Sequence, residues 1–567
     1  MTIEAQSMDT TTHMTGEPVE AATNVVGALA DAGVDIAFTV PGESFLAVLN
    51  ALYDEPRIRT VATRHESGAS FMADAYTKLT QTPAICMATR AVGAANLSIG
   101  IHNAQQDSVP MIAILGQVSN GARHRESFQE TDLDQFLRPF TKWAFEPTAP
   151  SELGALTHRA VRTAISGRPG PVAISLREDV IREPVRRESY STIHRPEPEA
   201  SSDEIAVVEA LLRDAHRPLL LVGGEIMTTA ATPAAVHLAE SASAGVVTLW
   251  RRPDAFPNDH PHYLGHAGLG AAPIVREAMT GSDLWIVVGG RLDENTLDGY
   301  TLPTAETSVV HVGVDADGLD PRGEGFGVVS TSAAFLRLLA EPFSTDPLEP
   351  ASAGERRAWI TDTHETWQAQ TTPEGRAVSP GYADQFEIAR TMREHLPPDT
   401  IVVTDAGNFS AWSARFLRWN APFTFVGPGS GAMGYAIPGA VGAQLARPDR
   451  PVLAVAGDGG FLMTAMDLQT AAREQLPIVV VVFNNGQYGT IRMHQERKYP
   501  GRPIATTLGE VDFVALARGL GCGAELVLEA EEFSAALDRA FTSDAPYVLE
   551  VRTDPEQISI SSIVELD

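Results

Sequence analysis

Two apolar runs in the last quarter of the chain each finish in a turn rich in oxygen donors. The first ends in Gly457-Asp458-Gly459-Gly460 and the second in Asn484-Asn485-Gly486-Gln487. The spacing predicts a helix over about residues 462–474 between them. In a parallel sheet, successive strands deliver their C-terminal ends to one edge, where ligands bind. That geometry brings the Asp458 carboxylate and the Asn485 amide together. Hard oxygen donors of this kind suit Mg2+ or Ca2+, with phosphate oxygens and water completing the shell. The glycines let the backbone approach a diphosphate, and a following helix offers unpaired N–H groups. Either turn alone is an ordinary turn; the pair at this spacing is far more specific.

A second carboxylate of interest is Glu66, within Arg64-His65-Glu66-Ser67-Gly68-Ala69 at a strand-to-helix junction. On its own it is explained as an acid favoured by a helix N-terminus, or as a partner of Arg64.

Alternating strand-like and helix-like segments must position these residues. A helix is expected over residues 19–32, with Pro18 at its tolerated start, then a strand at 36–40 and the Pro41-Gly42 turn. A helix over 45–53 and strands at 60–63, 84–88, 111–115 and 172–175 complete a first unit. A second unit carries strands at 218–222, 284–288 and 308–314, and a third carries 401–404, 452–456 and 478–483. Strands alternating with helices argue for α/β domains, each a parallel sheet covered on both faces. The first and third units share a rhythm and could be one fold used twice. The expected boundaries are a disordered tail at 1–16, a first domain at 17–183, and a linker at 184–202. A central domain follows at 203–342, then a linker at 343–379, a third domain at 380–553 and a C-terminal tail at 554–567.

The 567 residues accommodate three such domains. Acidic residues number 72 against 42 basic ones, a formal charge of −30. Such a surface repels nucleic acid and anionic membrane while leaving room for a small anionic substrate in a pocket. Cys86 and Cys522 alone form neither a disulfide framework nor a metal cluster. The polar start reads as no signal peptide, and the apolar runs are strand-length, so a cytoplasmic protein is expected.

Taken together, the Gly-Asp-Gly turn, helix, strand and Asn-Asn turn resemble the signature of thiamin diphosphate enzymes. The resemblance extends over about residues 17–553. It implies three doubly wound parallel-sheet domains: pyrimidine-binding, central Rossmann-like, and diphosphate-binding. It also implies that Asp458, Asn485 and the Gln487 carbonyl hold Mg2+, which anchors the cofactor's diphosphate. In such enzymes a glutamate shielded from water bonds the aminopyrimidine and promotes removal of the C2 proton, and Glu66 matches it. Pro41 and Gly42 resemble the loop that packs on the pyrimidine, and Gly407 and Asn408 the loop that helps hold the diphosphate. Gly431 and Met433 resemble the segment that bends the cofactor, though Met433 also reads as core filler. Gly459, Gly460, Tyr488 and Gly489 complete the expected cofactor contacts. Glu66 of one subunit would face the metal turns of another, so a homodimer is the smallest active unit and a homotetramer is expected.

Within the superfamily the likeness is to acetohydroxyacid (acetolactate) synthases, carried by Gly116–Val118, Ser127–Asp132 and Gly431–Ala446. Such enzymes decarboxylate a 2-oxo acid and ligate the acyl unit to an aldehyde or second 2-oxo acid; the cofactor supplies the electron sink. The pocket departs from the pattern. Thr89-Arg90-Ala91-Val92-Gly93 replaces a typical Thr-Ser-Gly-Pro-Gly, and Arg90 could meet a substrate carboxylate or form an ion pair. His494 stands where a tryptophan is usual, as a proton donor or a packed polar residue. Arg177 replaces a common lysine. Phe128 and Gln129 match, and Thr490 and Ile491 are the remaining substrate candidates. A simple decarboxylase or aldehyde lyase of the benzoylformate-decarboxylase kind is the alternative. It is weakened by Thr89 at the place of a catalytic histidine, and the lack of a His-His pair argues against a pyruvate-decarboxylase type. A non-catalytic cofactor-binding homologue would have lost Glu66, Asp458 or Asn485. Dehydrogenase activity lacks its dinucleotide fingerprint. FAD in the central domain stays open on Gly289-Gly290, as the weaker expectation.

Overall fold

The computed structural model describes residues 18–319 and 325–561, so the tail expected at 1–16 lies outside the described residues. The inner strands of its three large sheets are short apolar runs buried on both sides, the pattern of parallel sheets clad by helices. Two compact units emerge. One comprises the chain up to Thr77 together with Thr82–Arg195, and the other Lys78–Gln81 together with Pro196 onward.

The first unit contains β1 (Pro18–Glu20), β2 (Ile36–Thr39), β3 (Arg59–Ala62), β4 (Ala84–Thr89), β5 (Met111–Gln117), β6 (Trp143–Phe145), β7 (Val172–Arg177) and β8 (Pro184–Arg186). Strands β2 to β7 form one parallel sheet in the order β3-β2-β4-β5-β7-β6. Leu29, Ile85, Ile112, Val161 and Ile174 lie in the core on one of its faces. The helix expected over 19–32 is shorter, Ala21–Asp31, because Pro18–Glu20 pairs antiparallel with β8. Prolines open both of these strands, where a missing N–H costs least. The expected linker at 184–202 therefore begins as a strand.

The second unit holds two sheets. The central one contains β9 (Pro218–Val222), β10 (Gly245–Thr248), β11 (Tyr263–His266), β12 (Leu284–Val288), β13 (Ser308–Gly313) and β14 (Phe326–Val329), in the order β11-β10-β9-β12-β13-β14. Numbered within the domain this is 3-2-1-4-5-6, the Rossmann order. The other contains β15 (Ile401–Thr404), β16 (Phe425–Val426), β17 (Val452–Gly457), β18 (Val479–Asn484), β19 (Gly523–Val527) and β20 (Tyr547–Arg552), ordered β16-β15-β17-β18-β20-β19. Counted within each domain, that is the same 2-1-3-4-6-5 order as the first sheet.

Two stretches read as connections are built structure. Residues 343–379 contain the helix Pro350–Gln370, whose Ile360 and Trp367 belong to the central core. Its buried Arg356 donates to the carbonyls of Leu212, Arg213, Ala215 and Ala242. The described part of the expected C-terminal tail is also ordered against the third domain, with Gln557, Ile558 and Ile560 buried. Residues 562–567 lie outside the described residues.

Candidate active site

The ends of β17 and β18 behave as the apolar runs require. Gly457 pairs in register with Phe483, so the residues that follow share one edge of the sheet. The helix expected over 462–474 begins earlier and is broken, as Asp458–Thr464 and Asp467–Arg473. Asp458 is thus the first helical residue. Its Oδ1 accepts from the Gly459 N–H at 2.8 Å and its Oδ2 from the Gly486 N–H at 2.7 Å. Asn485 Oδ1 accepts from the Gln487 N–H at 3.3 Å. Burial pushes the Asp458 carboxyl up to about 6, against the lowering effect of these backbone N–H bonds. Asp458 has no ion-pair partner among the described residues, so its buried charge lacks a countercharge.

These turns line a cavity of about 220 Å³. Of the expected cofactor residues, Gly407, Asn408, Gly431, Met433, Asp458, Gly459, Gly460, Asn485, Gln487, Tyr488 and Gly489 all border it, as do Thr490 and Ile491. A Cβ at Gly459 would meet the Tyr488 ring at 2.4 Å, and one at Gly460 the Asp405 carboxylate at 2.8 Å, so neither turn tolerates a side chain. Gly431 has φ +73° with open space where a Cβ would stand. The donor set of a carboxylate, a side-chain amide and backbone carbonyls fits a hard cation such as Mg2+. The glycine-lined walls fit a diphosphate.

Three side chains tie the loops together. The Asp405 carboxylate accepts from the Ala406 N–H at 2.7 Å and the Gly434 N–H at 2.9 Å. Thr464 Oγ1 donates to the Gly434 carbonyl at 2.8 Å, and Thr490 Oγ1 accepts from the Asn408 N–H at 2.9 Å. Burial holds the Asp405 carboxyl up at about 6. The sequence reading missed Gln385, Phe409, Phe483, Thr553, Gln557 and Ile558 in the wall. The alternation of apolar Ile558 and Ile560 was the available signal. His494 is exposed and does not border the cavity.

The remaining candidates lie in the first unit. Glu66 is the first residue of the helix Glu66–Thr80, is half-buried, and accepts from Asn96 Nδ2 at 2.9 Å. Gly42 is confined: a Cβ there would meet the Thr89 side chain at 2.7 Å, while Pro41 beside it is exposed. Arg90 has φ +45° and is buried. Its guanidinium donates to the Phe128 carbonyl at 3.2 Å and pairs with Glu178 at 3.3 Å and Glu43 at 3.7 Å. Phe128 is 71% exposed, and the Gln129 carbonyl accepts from the Ala91 N–H at 3.2 Å. Arg177 donates to Glu146 at 2.6 Å, next to Arg123, and to Asn120.

Known proteins bear on this arrangement. Residues 19–136, 205–339 and 405–551 match the N-terminal TPP binding domain, the central domain and the C-terminal TPP binding domain of thiamine pyrophosphate enzymes. The acetolactate synthase large subunit of Corynebacterium glutamicum is 33% identical over 94% of this chain and 87% of its own length. Acetolactate synthase isozyme 2 large subunit of Escherichia coli is 31% identical over 94% and 95%. The solved Rhodococcus jostii thiamine diphosphate-dependent 4-hydroxybenzoylformate decarboxylase superposes with a TM-score of 0.82. It is 25% identical, with 94% of this chain and 99% of that one covered. Among the described residues no helix is long and apolar enough to cross a membrane. The chain therefore belongs to the thiamine pyrophosphate enzyme family that includes the acetolactate synthase large subunits.

Proposed function

We propose that the protein decarboxylates a 2-oxo acid and ligates the acyl unit to a second carbonyl, an aldehyde or another 2-oxo acid. The observation that carries this reading is the convergence of Asp458, Asn485 and Gln487 with Gly431 and Met433 around one cavity. Thiamin diphosphate, when bound, supplies an electron sink beside the carbonyl carbon. Asp458, Asn485 and the Gln487 carbonyl would hold Mg2+ against the diphosphate. Gly407, Asn408 and the N–H groups of Gly459 and Gly460 would meet its oxygens. Met433 would support the bend between the rings, and the Gly431 carbonyl would accept from the aminopyrimidine. Glu66, steadied by Asn96, would exchange a proton with that ring. It would then face the metal turns of a second copy, which would make a homodimer the smallest active unit, with a homotetramer as the expected assembly.

Arg90 reads best as a strut for its loop, since a substrate carboxylate would have to compete with Glu178 and Glu43. Ile491 is the chain's apolar contact for the substrate. The central domain reads as free of FAD. At the switch point between β9 and β12, a Cβ on Gly223 would lie 2.3 Å from the Gly289 carbonyl, so only glycine fits at this close approach. Glu225 Oε1 there accepts from the Ser332 N–H at 3.2 Å, setting an anion where a pyrophosphate would need donors. FAD therefore stays the weaker reading.

A panel of 2-oxo acids, with CO2 release and product chirality followed, tests the reaction. Pyruvate giving acetolactate supports ligation. The likeness to a 4-hydroxybenzoylformate decarboxylase favours a second reading, in which the acyl unit is protonated and released; free aldehyde as the sole product would establish it.

A further inference from the structure

The ligand edge of the central sheet is turned toward protein rather than toward a nucleotide. Just beyond β10, Arg251 adopts φ +59°, a left-handed conformation that non-glycine residues enter only when their surroundings impose it. It is buried, with its guanidinium 4.7 Å from the Trp250 ring centroid. Nη1 donates to Thr404 Oγ1 at 2.6 Å and Nη2 to the Asp405 carbonyl at 3.4 Å. Trp250 Nε1 donates to the Gly429 carbonyl at 3.2 Å. Two adjacent residues thus hold the roots of two different cavity loops. One runs through Ala406, Gly407 and Asn408, the other through Gly431 and Met433. The Asp405 carboxylate then links the loops through the Gly434 N–H.

We propose that Arg251 is a positioning residue for thiamin diphosphate, fixing the diphosphate loop and the ring-bending loop in register from the central domain. It touches neither cofactor nor substrate and acts through Thr404, Asp405 and its neighbour Trp250. The planar, always charged fork of arginine reaches two acceptors from separate nitrogens in a fixed geometry, which lysine's single ammonium does not reproduce. The proposal rests on the reading of this cavity as the diphosphate site.

The test is calorimetric titration of the full-length protein with thiamin diphosphate in Mg2+, with near-ultraviolet circular dichroism of the bound cofactor. Loss of hydrogen bonds from a charged donor predicts that Arg251→Met weakens cofactor binding about tenfold or more. The dichroism at saturation changes, and Arg251→Lys recovers part of both. Binding within about twofold of the parent protein, with unchanged dichroism, overturns the proposal even if the variant melts earlier. Should Arg251→Met not fold, Thr404→Val removes only the acceptor and is expected to weaken binding in the same direction; unchanged binding again overturns it. Asp458→Asn is titrated alongside. If only that variant loses affinity, the clamp fails and the site stands. If it too binds normally, the site reading fails and takes the clamp with it.

Discussion

The Asp458 carboxylate accepts the Gly486 N–H at 2.7 Å across 28 positions of chain, joining the turn after β17 to the turn after β18. One oxygen is thereby oriented by backbone before any cation arrives, and the buried charge awaits a countercharge. Asp458→Ala removes both this link and the proposed metal ligand. Its affinity for thiamin diphosphate in Mg2+ is expected to fall about a hundredfold or more, measured by titration calorimetry.

Glu66→Gln keeps the size of the side chain but removes the group proposed to exchange a proton. Cofactor affinity should change little, while C2–H/D exchange of bound thiamin diphosphate, followed by NMR, should slow by about 10²–10⁴-fold. Exchange at the parent rate would take Glu66 out of the mechanism.

Asp254 tests the electrostatics of the second unit. Its Oδ2 accepts from the N–H groups of Thr424 and Phe425 at 3.0 and 3.1 Å, and its Oδ1 is buried without a partner. Burial pushes the carboxyl up to about 6 from 3.8. The folded state then holds a proton that the unfolded chain has released, so stability falls as pH rises from about 4 to about 6. The loss amounts to about 3 kcal/mol for this group. Asp254→Asn should flatten that part of the pH dependence, read as the difference in thermal midpoint between pH 4.5 and pH 7. An unchanged slope would mean that the site is wetter than its surroundings indicate.

The C-terminal segment is a wall of the cavity. Gln385 donates from its backbone N–H to Gln557 Oε1 at 2.9 Å and from Nε2 to the Gln557 carbonyl at 2.8 Å. Gln487 Nε2 donates to the Pro555 carbonyl at 2.7 Å. Truncation after residue 553 should therefore lower cofactor affinity about tenfold or more, with retention on gel filtration separating this from global unfolding. Full affinity in a folded truncation would contradict the assignment.

The sequence revealed what continuous burial dictates. The runs at 452–456 and 479–483 are apolar throughout because both faces of a parallel sheet are covered, and their terminal turns drew attention to the cavity they line. It concealed elements whose stability comes from partners distant in the chain. Strand β16 is two residues long. The helix Pro350–Gln370 buries Arg356 and His364 among its core residues, so its apolar stripe is interrupted. The residues beyond 553 look like a tail until Gln557 finds Gln385. Arg251 left no trace in the sequence, because its role depends on a contact with Thr404, 153 positions away.

The shared strand order of the first and third sheets makes every loop in one the counterpart of a loop in the other. By that correspondence the helix opening at Arg90 after β4 matches the helix opening at Asp458 after β17. Two sheets of one strand order thus carry opposite charges at the same corner. The third domain places the buried Asp458 carboxylate there, without an ion-pair partner among the described residues. The first offers a cation and neutralises it internally through Glu178 and Glu43. The two domains thus share a strand order and differ in the charge their loops present.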